Sequence, residues 1–91
     1  EKMLKFVRTQ FIKSVSEPVL KILLDKLLDQ GVITDDEMEP ISGTAERADK
    51  ARDLINTVRR KGTDASLALI TALHEEDPFL SDKLFSDKKL E

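Results

Sequence analysis

The residues with the right chemistry for catalysis or metal binding are few, and their spacing does not suit it. The 91-residue chain has one histidine and no cysteine, so the usual His/Cys metal sites cannot be assembled. His74 stands beside Glu75, a pairing that suggests a base and the carboxylate that orients it. No nucleophile motif accompanies them, and consecutive residues at a helix end point in different directions, so we read an exposed histidine near a helix C-terminus. Asp35-Asp36-Glu37 with Glu39 lacks the alternating ligand positions and central glycine of a calcium loop. No glycine-rich phosphate loop is present. We therefore expect no catalytic residue, no metal and no cofactor.

What remains is charge in blocks. The formal charge is −3 overall, but residues 1–15 carry +3, 16–42 carry −5, 43–62 carry +3 and 63–91 carry −4. Patches of opposite sign on one small molecule can attract a relative or another copy. The alternative is that each patch is only a solvated face. Nucleic acid is not an expected partner: the chain is net acidic and its only aromatics are four phenylalanines, assigned mostly to the core. No apolar run is long enough to cross a bilayer, and no signal peptide is read at the N-terminus. The absence of cysteine fits a reducing cytoplasm, the expected location.

The spacing predicts one all-α domain over residues 1–91, with helices at about 2–15, 18–30, 35–41, 45–60, 64–75 and 78–85 and a frayed tail at 86–91. Its centre is the second helix, where Leu20, Leu23, Leu24 and Leu27 share a face, Ser16 caps the start, Pro18 suits the first turn and Gly31 follows the end. Leu4, Val7, Phe11 and Val15 form the inner face of the first helix, flanked by Phe6 and Ile12, and a bend is expected near Thr9–Gln10. Thr34 and Glu37 form a capping box for a short third helix, which Pro40 should end around Glu39. Thr44 is expected to cap the fourth helix, which buries Ala48, Ala51, Leu54, Ile55 and Val58. Thr63 is expected to cap the fifth, with Leu69, Ile70 and Leu73 buried and Ala65 and Leu67 in support. Asp77 and Pro78 open the sixth, which buries Leu80 and Leu84.

Six short helices in about 90 residues, a bend in the first and a very short third, together with patches of opposite sign, resemble the death fold. The strings Phe11-Ile12-Lys13-Ser14-Val15, Leu23-Leu24-Asp25-Lys26-Leu27-Leu28, Val32-Ile33, Asp49-Lys50-Ala51-Arg52-Asp53-Leu54-Ile55, Lys61-Gly62 and Glu75-Glu76-Asp77-Pro78-Phe79-Leu80 occur in order. They cover nearly all of residues 2–85 and resemble the caspase recruitment domain (CARD), particularly those of inflammatory caspases and their CARD-only decoys.

The resemblance implies a six-helix antiparallel bundle and a non-enzymatic adaptor that binds other CARD proteins of the inflammasome and self-associates into filaments. It implies three asymmetric contacts. In the first, acidic residues on helices two and three (Asp25, with Asp29 beside it) meet basic residues on helices one and four (Arg8, Arg52 and neighbouring Lys50). In the second, Arg59, Arg60 and Lys61 face Glu75, Glu76 and Asp77. In the third, Asp35, Asp36 and Glu39 approach Lys13 or Arg47. The parent could be a caspase, a sensor, an adaptor or a free-standing decoy. Two other readings stay open. A lipid-sensing CARD would need a cleaner basic face than this one, which is mixed with acids. A pyrin or death-effector relative would have a straight first helix.

Overall fold

A computed structural model describes residues 2–89, with side chains placed for residues 4–85. The chain forms α1 (Lys2–Ser14), α2 (Glu17–Asp29), α3 (Asp35–Ser42), α4 (Arg47–Lys61), α5 (Thr63–Glu76) and α6 (Pro78–Lys89). Helix α5 packs against α2, α4 and α6, while α1 packs against α4 and α6 and α3 lies against α2 and α4. Phe11, Leu20, Leu23, Leu27, Leu54, Ile55 and Leu69 are almost wholly buried where these helices meet. Truncating such a leucine to alanine costs about 2–5 kcal/mol, so the core rather than the surface charge fixes the bundle.

Local signals set most helix ends. The Ser16 hydroxyl accepts a hydrogen bond from the Val19 amide, at 3.3 Å. At the other end of α2, Gly31 has φ 75°. The Gly31 amide donates to Leu28 at 3.0 Å and the Val32 amide to Leu27 at 2.9 Å, which closes two of the last orphan carbonyls. The capping box on α3 is complete, with Thr34 accepting from the Glu37 amide and Glu37 accepting from the Thr34 amide. Asp77 accepts from the Leu80 amide at 3.1 Å and Pro78 is the first residue of α6.

Several expectations need correction. Thr44 does not cap α4: its hydroxyl donates to the Pro40 carbonyl at 3.0 Å. The Thr44 amide turns to Ile41 instead of Pro40, so the hydroxyl takes over the carbonyl that the amide leaves. Helix α4 therefore starts at Arg47, with Glu46 as an N-cap that makes no side-chain bond. Thr63 does not cap α5 either, because Gly62 is at once the end of α4 and the start of α5, with φ 109°. Pro40 lies within α3, which runs on to Ser42. Helix α6 continues to Lys89, past the expected end at Phe85, so 86–89 are helical rather than frayed; the last two tail residues lie outside the described ones. Helix α1 is continuous from Lys2 to Ser14. Leu67, expected inside, is 53% exposed, while Ser66 is buried and donates its hydroxyl to the Gly62 carbonyl. Phe6 and Phe79 are also exposed, so the phenylalanines are not mostly core.

Candidate protein-interaction surface

Arg8, Thr9, Ile12, Lys13, Arg47, Ala48 and Arg52 line one depression of about 460 Å³ between α1 and α4. The resemblance implies one contact for Arg8 and Arg52 and another for Lys13 and Arg47; the fold brings all four to one depression. Two of them are held in place by polar neighbours. The Arg8 guanidinium donates to the Asn56 side-chain oxygen at 2.9 Å. Arg47 donates to the backbone carbonyls of Ile12 and Val15, at 2.7 and 2.9 Å, and so closes the C-terminal end of α1. Neither of these partners carries a charge, and among the described residues neither arginine makes an ion pair. Arg52 pairs with Asp49 on its own helix, and Lys13 is exposed. Lys50 lies apart from this group and pairs with Glu17 at the start of α2.

The acidic counterpart is carried by α2 and α3. Asp25 and Asp29 are one helical turn apart on the exposed side of α2, and Asp35, Asp36 and Glu39 are exposed on α3. Among the described residues none of these five makes an ion pair. Asp35 and Asp36 lie in the first turn of α3, where the helix dipole favours negative charge.

The two remaining charged loops are at opposite ends of α5, about 20 Å apart along a helix of 14 residues. Part of each is already ion-paired inside the molecule. Lys26 of α2 reaches Glu75 at 2.5 Å and Glu76 at 2.9 Å. These bonds hold the Glu75 carboxyl below the ordinary carboxylate range and the Lys26 ammonium above its ordinary value. Lys61 reaches Glu37 at 3.0 Å. The Glu37 carboxyl is lowered, first by the Thr34 amide and then by Lys61. Arg60 is exposed beside Asp36, Glu37 and Asp53 in a second depression of about 340 Å³. Arg59 is half-buried, and its Nε is buried without a hydrogen-bond partner. Asp77 is occupied in capping α6. Lys26, Glu37 and Asn56 were not among the expected site residues; of the three, only Glu37 had a sequence signal, as the partner of Thr34 in the capping box.

His74 is exposed. Among the described residues no group of three or more His, Asp and Glu could hold a metal ion, and no helix is long and apolar enough to cross a membrane.

Comparisons with known proteins agree with this architecture. Caspase-1 of Mus musculus is 42% identical over 82 residues, which are 89% of this chain and 20% of that protein. Caspase recruitment domain-containing protein 18 of Homo sapiens is 36% identical over 85 residues, covering 92% of this chain and 94% of that one. The chain thus spans about a fifth of the caspase-1 relatives and nearly all of this shorter one. The solution structure of ICEBERG, described as an inhibitor of interleukin-1β generation, superposes with a TM-score of 0.83 at 38% identity, covering 89% of this chain and 92% of that one. The sequence model of the caspase recruitment domain family matches residues 1–87, and with six helices in the death-fold arrangement the chain belongs to that family.

Proposed function

We propose that this domain is a non-catalytic homotypic module that binds the CARD of an inflammatory caspase or of a protein that recruits one, by fitting its basic α1/α4 depression onto the acidic α2/α3 edge of its partner. The observation that carries this is a pair of surfaces: Arg8, Lys13, Arg47 and Arg52 around one depression, where only Arg52 has an ion pair among the described residues, and five carboxylates on α2 and α3 that make none among them. Each contact joins one face to a different face, so copies add head to tail. Such contacts build an open filament unless the rotation closes a ring. Individual exposed ion pairs contribute little, about 0–1 kcal/mol, but opposed fields speed encounter and repeated contacts add up.

The test uses two charge reversals, Asp25→Arg and Arg52→Glu, followed by light scattering after size-exclusion chromatography. Each variant alone should stay monomeric at concentrations where the wild type associates. Mixing the two should restore association, since each keeps the face the other lacks. Circular dichroism should show unchanged helix content in both. Association by either variant alone at the wild-type level would overturn the pairing of faces.

A competing role is the second reading. The observation behind it is that this domain spans 94% of caspase recruitment domain-containing protein 18, a relative with little beyond the bundle. A bundle that occupies a caspase's CARD without bringing a catalytic domain blocks recruitment. Titrating this domain into an assembling caspase-1 CARD separates the two roles: a recruiter increases the assembled mass and a competitor reduces it.

A further inference from the structure

We infer that Lys26 and Glu37 act as internal competitors for Glu75, Glu76 and Lys61, the charges at the two ends of α5 that a partner would otherwise meet. This rests on the proposed pairing of faces. Lys26 bonds both Glu75 and Glu76, and Glu37 bonds Lys61. These are the carboxylates and one of the cations that a partner would need at the two ends of α5. The Glu75-Glu76 pair closes the C-terminal end of α5, where the helix dipole disfavours negative charge. That end therefore holds its cation more strongly than an ordinary surface turn.

The competitors lie beside the open face. Lys26 follows Asp25 on α2, and Glu37 follows Asp35 and Asp36 on α3. A partner that reaches the ends of α5 must bring a cation to Glu75 and Glu76 in place of Lys26 and an anion to Lys61 in place of Glu37, so each contact there forms only by exchange and assembly through these loops starts slowly.

The test compares wild type, Lys26→Met and Glu37→Gln by light scattering over time and over concentration. Methionine keeps the apolar stem of the lysine, and glutamine keeps the capping box of α3. Thermal melts followed by circular dichroism confirm the fold. Each variant should lower the concentration of half-maximal association by about two- to tenfold, as expected for one or two exposed pairs removed as competitors, and should shorten the lag. Adding Glu75→Gln and Glu76→Gln to Lys26→Met should abolish that gain, because the freed carboxylates carry it. Two folded variants with unchanged or raised half-association concentration and unchanged lag would overturn the inference. The Asp25→Arg variant keeps the two ideas apart. If it loses association while Lys26→Met gains none, only the internal competition fails. If Asp25→Arg associates like the wild type, the pairing of faces fails whatever Lys26→Met does.

Discussion

The α1/α4 depression and the two ends of α5 are equally charged in the sequence and differ in the fold. Around the depression, Arg8 and Arg47 are fixed by neutral oxygens, of Asn56 and of the α1 carbonyls, so their charge still faces outward. At the ends of α5, Lys61, Glu75 and Glu76 are fixed by groups of opposite charge, so their fields cancel nearby. Both devices hold a long side chain in one geometry, and only the first leaves it attractive to a partner. Free charge, rather than charge, marks the surface that acts first.

The largest effect should come from reversing a charge on the open face. With Asp25→Arg, a cation stands opposite Arg8, Lys13 and Arg47 of the next copy, and like charges face to face cost several kcal/mol in a contact. Association should weaken by about tenfold or more. Raising salt toward 1 M should weaken the wild type in the same direction, because these groups are exposed and the screening length falls to about 3 Å. A sedimentation profile that ignores both changes would break the comparison at its first term.

Gly62 tests the other region. Its φ of 109° with ψ of −165° lies where side chains other than glycine's are strained. No atom lies within 4 Å of an added Cβ, so the cost of Gly62→Ala is conformational rather than steric. A stability loss of about 1–3 kcal/mol is expected in thermal or urea unfolding. Because Gly62 joins α4 to α5 directly, the substitution should also disturb Lys61 and its bond to Glu37 while leaving the α1/α4 depression intact. Equal losses of first-face binding and stability would mean that the two regions are not separate.

Much of the fold was legible because it rests on short-range rules. Ser16, Gly31, Thr34 with Glu37, and Asp77 with Pro78 act on backbone groups within a few residues of themselves, and the Leu20–Leu27 stripe follows from helical spacing alone. Thr44 and Thr63 were misjudged because a cap depends on where the preceding helix stops, and Pro40 does not stop α3 where proline usually would. On α5 the error was in the width of the buried arc. With α2, α4 and α6 packed around it, the arc takes in Ser66 and leaves Leu67 on the remaining open side. The ion pairs between different helices were not legible at all. Lys26 and Glu75 are 49 residues apart, and nothing local to either distinguishes it from a solvated charge.

A smaller effect should follow from Thr34→Ala, which removes the hydroxyl that accepts the Glu37 amide. Loss of such an N-cap costs about 1 kcal/mol. With α3 loosened at its first turn, Glu37 is held less firmly against Lys61, so the variant should also gain some association at the ends of α5. Thermal melts and light scattering on the same sample read the two consequences separately; a stability loss with no change in association would confine Thr34 to the helix.

The smallest effect is the pH dependence of Glu37→Gln. In the folded chain the Glu37 carboxyl is held below its ordinary value of 4.5 by the Thr34 amide and Lys61. A carboxyl whose folded pKa is depressed adds stability that is fully present above its unfolded pKa and is lost as pH falls through the folded one. The glutamine variant should therefore be less stable than the wild type at pH 7 by a few tenths of a kcal/mol, in keeping with a half-exposed pair. The difference should shrink below pH 4.5 and vanish once the carboxyl is protonated. Melts at pH 7 and pH 3 provide the measurement, and a gap that persists at pH 3 would trace the stabilisation to side-chain shape instead of charge. In that case the bond to Lys61 would be too weak to compete with a partner, and the closed loops at the ends of α5 would have to be explained by the Lys26 bonds alone.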